Sequence, residues 1–102
     1  MKFGLPDSTI EKINTVFARH PEIEEVLIYG SRAKGTYREG SDIDITLKGS
    51  GLSEELRANI FSEIDDLNTP YLFDISIFDQ LSSDDLIAHI NRVGQVFYRK
   101  KS

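Results

Sequence analysis

Three aspartates and one turn hold most of the chemical information in this chain. In the segment Asp42-Ile43-Asp44-Ile45-Thr46-Leu47, polar and apolar residues alternate strictly. That period of two predicts a strand that projects Asp42 and Asp44 from one face and turns Ile43 and Ile45 into the core. Two carboxylates held side by side raise each other's proton affinity, and a cation between them relieves the repulsion. Oxygen ligands of this kind suit Mg²⁺ or Mn²⁺ rather than zinc. Taken alone, the pair is also what a solvated strand face presents. Asp74 adds weight because it interrupts the apolar run Leu72-Phe73-Asp74-Ile75-Ser76-Ile77, and aspartate is poorly suited to a strand interior. On a strand beside Asp42 and Asp44 it would complete a three-carboxylate metal site; on an edge strand it would simply face water.

Upstream, the apolar run Val26-Leu27-Ile28-Tyr29 ends abruptly at Gly30-Ser31. A buried strand passing through a Gly-Ser turn into a short helix, expected at Arg32 to Thr36, presents backbone N–H groups to an anion. Gly30 permits close approach of a phosphate, the Ser31 hydroxyl can donate to it, and Arg32 and Lys34 add positive charge. The spacing of a Walker loop is missing. A phosphate cradle followed ten residues later by a carboxylate pair is what a metal-bound nucleoside triphosphate requires.

Gly30-Ser31, ten residues, then Asp42-Ile43-Asp44 resembles the signature of the DNA polymerase β-like nucleotidyltransferase superfamily. The stretch Gly30-Ser31-Arg32-Ala33-Lys34-Gly35 followed by Ser41-Asp42-Ile43-Asp44 is especially similar to the minimal nucleotidyltransferases, or MNT domains. The likeness extends over nearly the whole chain. It implies the nucleotidyltransferase fold, with the triphosphate held by Gly30 and Ser31, helped by Arg32, Lys34 and Ser41. It also implies two Mg²⁺ ions (Mn²⁺ as a substitute) on Asp42, Asp44 and Asp74, and ATP as donor of AMP. Lys34 stands where the family often has arginine, which keeps the charge. MNT proteins are often encoded beside helical HEPN proteins in toxin–antitoxin pairs. The resemblance therefore implies an antitoxin that adenylylates a tyrosine of a HEPN partner, in a hetero-oligomer with it. The alternative is a non-catalytic module that binds nucleotide or neutralises its partner.

The elements needed to position these residues can be read along the chain. Ile10, Ile13, Val16 and Phe17 recur at helical spacing, which predicts a helix from Asp7 to His20 with a capping box at Ser8 and Glu11. Ser53 is expected to cap a helix burying Leu56, Ile60, Ile64 and Leu67. After Pro70 a strand is expected from Tyr71 to Phe78. Ser82 or Ser83 then caps a helix carrying Leu86, Ile87, Ile90 and Val93, which ends at Gly94, and Gln95 to Arg99 adds an edge strand. The order α-β-α-β-α-β-α-β predicts an α+β class: a small mixed sheet of about four strands flanked by helices, in one domain over residues 1–102.

Composition narrows the remaining options. The chain has 102 residues, no cysteine and a net charge of −5. Disulfides, thiolate metal sites and thiol nucleophiles are excluded, and an acidic domain this small is poorly matched to nucleic acid. With no secretory signal and no apolar run of membrane length, a cytoplasmic location is expected. His20 reads as a helix-end cation and His89 as a surface residue, while Tyr37 and Tyr71 read as packing residues near the site.

Overall fold

A computed structural model describes residues 1–101. Its elements are α1 (Asp7–Ala18), β1 (Glu25–Tyr29), α2 (Gly30–Lys34), β2 (Ile43–Lys48), α3 (Glu54–Asp65), β3 (Phe73–Ile77), α4 (Asp84–Val93) and β4 (Gln95–Arg99), with a single 3-10 turn at Phe78–Gln80. The four strands form one sheet in the order β3-β2-β1-β4. β1 is antiparallel to both β2 and β4, whereas β2 and β3 run parallel through the α3 crossover. The expected α+β architecture of four strands and four helices is therefore present, with β4 at one edge and β3 at the other.

One face of the sheet carries the main core. Val26 and Ile28 of β1, Ile43, Ile45 and Leu47 of β2, and Ile75 of β3 are buried together with Ile13, Val16 and Phe17 of α1 and Ile60 and Ile64 of α3. Period two in the strands and period 3.6 in the helices bring these residues to one interface. Phe17 contacts the rings of both Phe97 and Tyr98, which attaches β4 to α1. The opposite face keeps Tyr29, Asp44, Thr46, Asp74 and Ser76. There α4 packs against β1 and α2, burying Ile90 and setting His89 edge-on to Tyr29.

Helix ends follow local chemistry, with instructive departures from expectation. Ser53 and Ser83 accept hydrogen bonds from Leu56 N (3.1 Å) and Leu86 N (3.2 Å), so both act as N-caps. Ser8 does not. α1 starts at Asp7 after Pro6, whose φ of −59° already suits a helical start, and the carbonyl of Pro6 accepts from Thr9 and Ile10. α1 also stops at Ala18, two residues before His20, which instead meets Glu63 of α3 at 2.6 Å. Gly94 ends α4 as expected, yet its φ of −62° is one that any residue adopts. Glycine is needed there for space, because a Cβ would strike the carbonyl of Ile90. In α4 only Ile90 is buried, and Leu86, Ile87 and Val93 are partly covered.

Candidate active site

Strand register assembles the site. Asp44 of β2 pairs with Tyr29 of β1 on one side and with Asp74 of β3 on the other. Directly paired residues on neighbouring strands project from the same face, with adjacent strands about 4.8 Å apart. Tyr29, Asp44 and Asp74 thus form one row across three strands. Thr46 and Ser76 form the next row, where the Ser76 hydroxyl donates to Thr46 Oγ1 at 2.9 Å. Asp42 lies just ahead of β2, which begins at Ile43, one residue later than the alternation predicts. It is exposed, as is Asp74, whereas Asp44 is half-buried.

Burial holds the Asp44 carboxyl above the usual carboxylate range, and the charges of Asp74 and then Asp42 push it further. The Tyr29 phenol is also raised, first by burial and then by Asp74 and Asp44, with Ser76 opposing. It stays protonated at neutral pH and offers a donor beside the acids. His89 pulls the Asp44 carboxyl back down through its charge. This histidine, expected at the surface, stands over the acid row because α4 folds back across β1. A one-residue signal on an amphipathic helix could not reveal that.

Gly30 abuts the acids. β1 passes straight into α2, which occupies Gly30–Lys34 rather than Arg32 to Thr36. Gly30 has φ +74°, and a Cβ there would lie 2.6 Å from Asp44 Oδ2. The left-handed backbone favours glycine at this position, and a side chain there would displace the Asp44 carboxylate. Ser31 follows, partly exposed, at the start of α2. The turn and the acid row are therefore immediate neighbours.

Two of the residues expected to hold nucleotide are used otherwise. Arg32 is only 3% exposed, and its guanidinium donates to the carbonyls of Ser41 and Phe3 between the rings of Tyr37 and Tyr71. The Ser41 hydroxyl accepts from Arg38 N at 2.8 Å. A side chain this covered has little solvent-facing surface, and its hydrogen-bond donors are engaged within the chain. Lys34 is exposed on the last turn of α2 and borders a cavity of about 400 Å³ with Lys2, Tyr37 and Gln95.

The donor set at the acid row fits a hard divalent ion: carboxylates only, set beside the Gly30 backbone. Among the described residues, however, no group of three or more acidic or histidine side chains closes around an ion unaided. Mg²⁺ commonly takes one or two carboxylates and completes its shell from phosphate and water. An open acid row next to the Gly30–Ser31 turn matches that habit.

A family model described as polymerase beta, nucleotidyltransferase matches residues 11–102. The chain belongs to that family. No curated protein sequence matches it. Among solved structures, one described as a toxin-antitoxin with AMP-PNP superposes with a TM-score of 0.71 at 19% identity, covering 95% of this chain and 76% of that one. A tri-AMPylated Shewanella oneidensis HEPN toxin in complex with MNT antitoxin gives 0.67 at 16% identity, covering 92% and 72%. A putative nucleotidyltransferase from Sulfolobus solfataricus gives 0.53 at 23%, covering 92% and 86%. These likenesses establish a shared nucleotidyltransferase fold. No helix among the described residues is long and apolar enough to cross a membrane.

Proposed function

We propose that this nucleotidyltransferase transfers AMP from ATP to a hydroxyl of a HEPN-type helical protein, a tyrosine in the first instance, and so acts as its antitoxin. The observation that carries this reading is the abutment of the Gly30–Ser31 turn on Asp44, within the row that Asp74 completes. It is supported by the solved structures of the same fold that hold AMP-PNP or stand in complex with an AMPylated HEPN toxin.

Gly30 and Ser31 receive the triphosphate, the glycine by giving room and the serine by donating a hydrogen bond. Asp42, Asp44 and Asp74 would hold Mg²⁺, which when bound neutralises charge on the reacting phosphate and the leaving pyrophosphate. The acceptor oxygen bonds to the α-phosphorus, the bond from that phosphorus to the bridging oxygen of pyrophosphate breaks, and the hydroxyl proton passes to the Asp74 carboxylate. Tyr29 closes the buried end of the same row. The acceptor is held by its own fold, docked over the open acid face, because positioning supplies much of the rate.

Incubation with the co-encoded helical protein, Mg²⁺ and ATP labelled either at the α- or at the γ-phosphate tests the reading. Label from the α-position, and none from the γ-position, is expected on the partner. Transfer of the γ-label would mean phosphoryl transfer. Stable association with no label moved would leave a binding module that neutralises its partner without chemistry.

A further inference from the structure

Arg32 is a buried cation that no acid pairs with among the described residues. Its Nε and Nη2 donate to the Ser41 carbonyl at 3.1 and 2.8 Å, and its Nη1 donates to the Phe3 carbonyl at 2.9 Å. The Tyr37 and Tyr71 ring centres lie 5.4 and 5.1 Å from its central carbon, within cation–π range. Tyr37 is in turn pressed against Gly4, where a Cβ would overlap its ring. One guanidinium thus joins four places in the chain: the N-terminal segment, α2, the stretch from Gly35 to Asp42, and the approach to β3.

That stretch connects the two halves of the site. Gly30 and Ser31 sit on α2, Asp44 lies on β2, and residues 35–42, ending in Asp42, run between the two elements. Residues 35–40 are exposed and lack regular structure, with internal support from the Arg38–Ser41 turn. A connection of this kind otherwise opens readily. Arg32 grips its far end through the Ser41 carbonyl, one residue before Asp42.

We infer that Arg32 is a positioning residue: its fork fixes Ser41, and through it sets Asp42 against the Gly30–Ser31 turn, without touching nucleotide. The proposal rests on the nucleotidyl-transfer reading for its consequence, but its physical core does not. Lysine cannot reproduce the planar, multiply donating fork or its stacking between rings, so Arg32→Lys and Arg32→Met should behave alike.

The test reads amide hydrogen exchange of residues 35–42 in the free protein, together with ATP affinity in a metal chelator and the rate of AMP transfer. In both variants exchange should accelerate about tenfold or more. Metal-free ATP affinity should stay within about twofold of the parent, while turnover falls by about 10- to 100-fold, the cost of misplacing reacting groups by an ångström. Unchanged exchange, or a metal-free ATP affinity lowered about tenfold or more in both variants, overturns the proposal, the latter by making Arg32 a phosphate ligand. If both variants unfold, Tyr37→Leu, which strips one ring and leaves the three hydrogen bonds, must still quicken exchange across 35–42, and no change there overturns it. Since exchange is read without nucleotide, metal or partner, it stands even if the parent protein transfers no AMP. That result would defeat the proposed function instead.

Discussion

Asp44 and Asp74 occupy paired positions on the parallel strands β2 and β3, so their carboxylates share one face although thirty residues separate them in the chain. Removing one charge from this pair has opposite effects on stability and activity. Asp44→Asn should leave the metal-free protein as stable or more so, by about 0.5 kcal/mol, the size of an exposed charge–charge interaction. The same change, or Asp74→Asn, should cut AMP transfer by more than about 100-fold, beyond the loss typical of residues that merely support metal ligands. Thermal melts and transfer assays on the same preparations decide it. A variant that loses stability, or retains Mg²⁺-dependent transfer, contradicts the assignment.

The pH dependence of stability follows from the same pair. The folded-state proton affinity of Asp44 is raised above its ordinary value, chiefly by burial and then by Asp74 and Asp42. A raised folded value stabilises the fold while the group is protonated, and that contribution is lost as pH rises through the folded value. Melts in chelator between about pH 3 and pH 7 should show a component that declines with rising pH in the parent and is absent from Asp44→Asn. Identical slopes in the two proteins would mean that Asp44 is not perturbed.

Much of this arrangement was legible in the sequence, because period-two alternation and Gly-Ser punctuation are local. The four strands and the cap at Ser53 could be expected, whereas Asp74 was open between a place beside Asp44 and an edge strand facing water, and on edge strand β3 it has both. What local pattern could not supply was which side chains meet across the fold. Arg32 reads as a cation near a phosphate turn, since nothing nearby in sequence shows that Phe3, Ser41, Tyr37 and Tyr71 close over it. His89 reads as a surface residue for the same reason, its neighbour Tyr29 lying sixty residues away. Ser8 misled because the capping-box pattern begins one residue into a helix that already starts after Pro6.

The turn makes a separate, graded prediction. Gly30→Val combines a left-handed backbone with a Cβ driven toward Asp44 Oδ2, so it should cost about 1–3 kcal/mol of stability and abolish transfer. Ser31→Ala should fold normally and weaken nucleotide handling by about 1.5–3 kcal/mol, one to two decades in affinity or rate. Calorimetric ATP titration alongside denaturation separates the two effects. Normal ATP binding and turnover in both variants would remove the phosphate cradle from the account.

The most direct test of the central claim is the intact mass of the co-encoded HEPN-type protein after incubation with this chain and MgATP. A gain of whole adenylyl units on the partner, localised to tyrosine, is expected, with none when Asp44→Asn replaces the parent. An unmodified partner, with AMP appearing instead on a free sugar, a small-molecule alcohol or a nucleic-acid end, would contradict it.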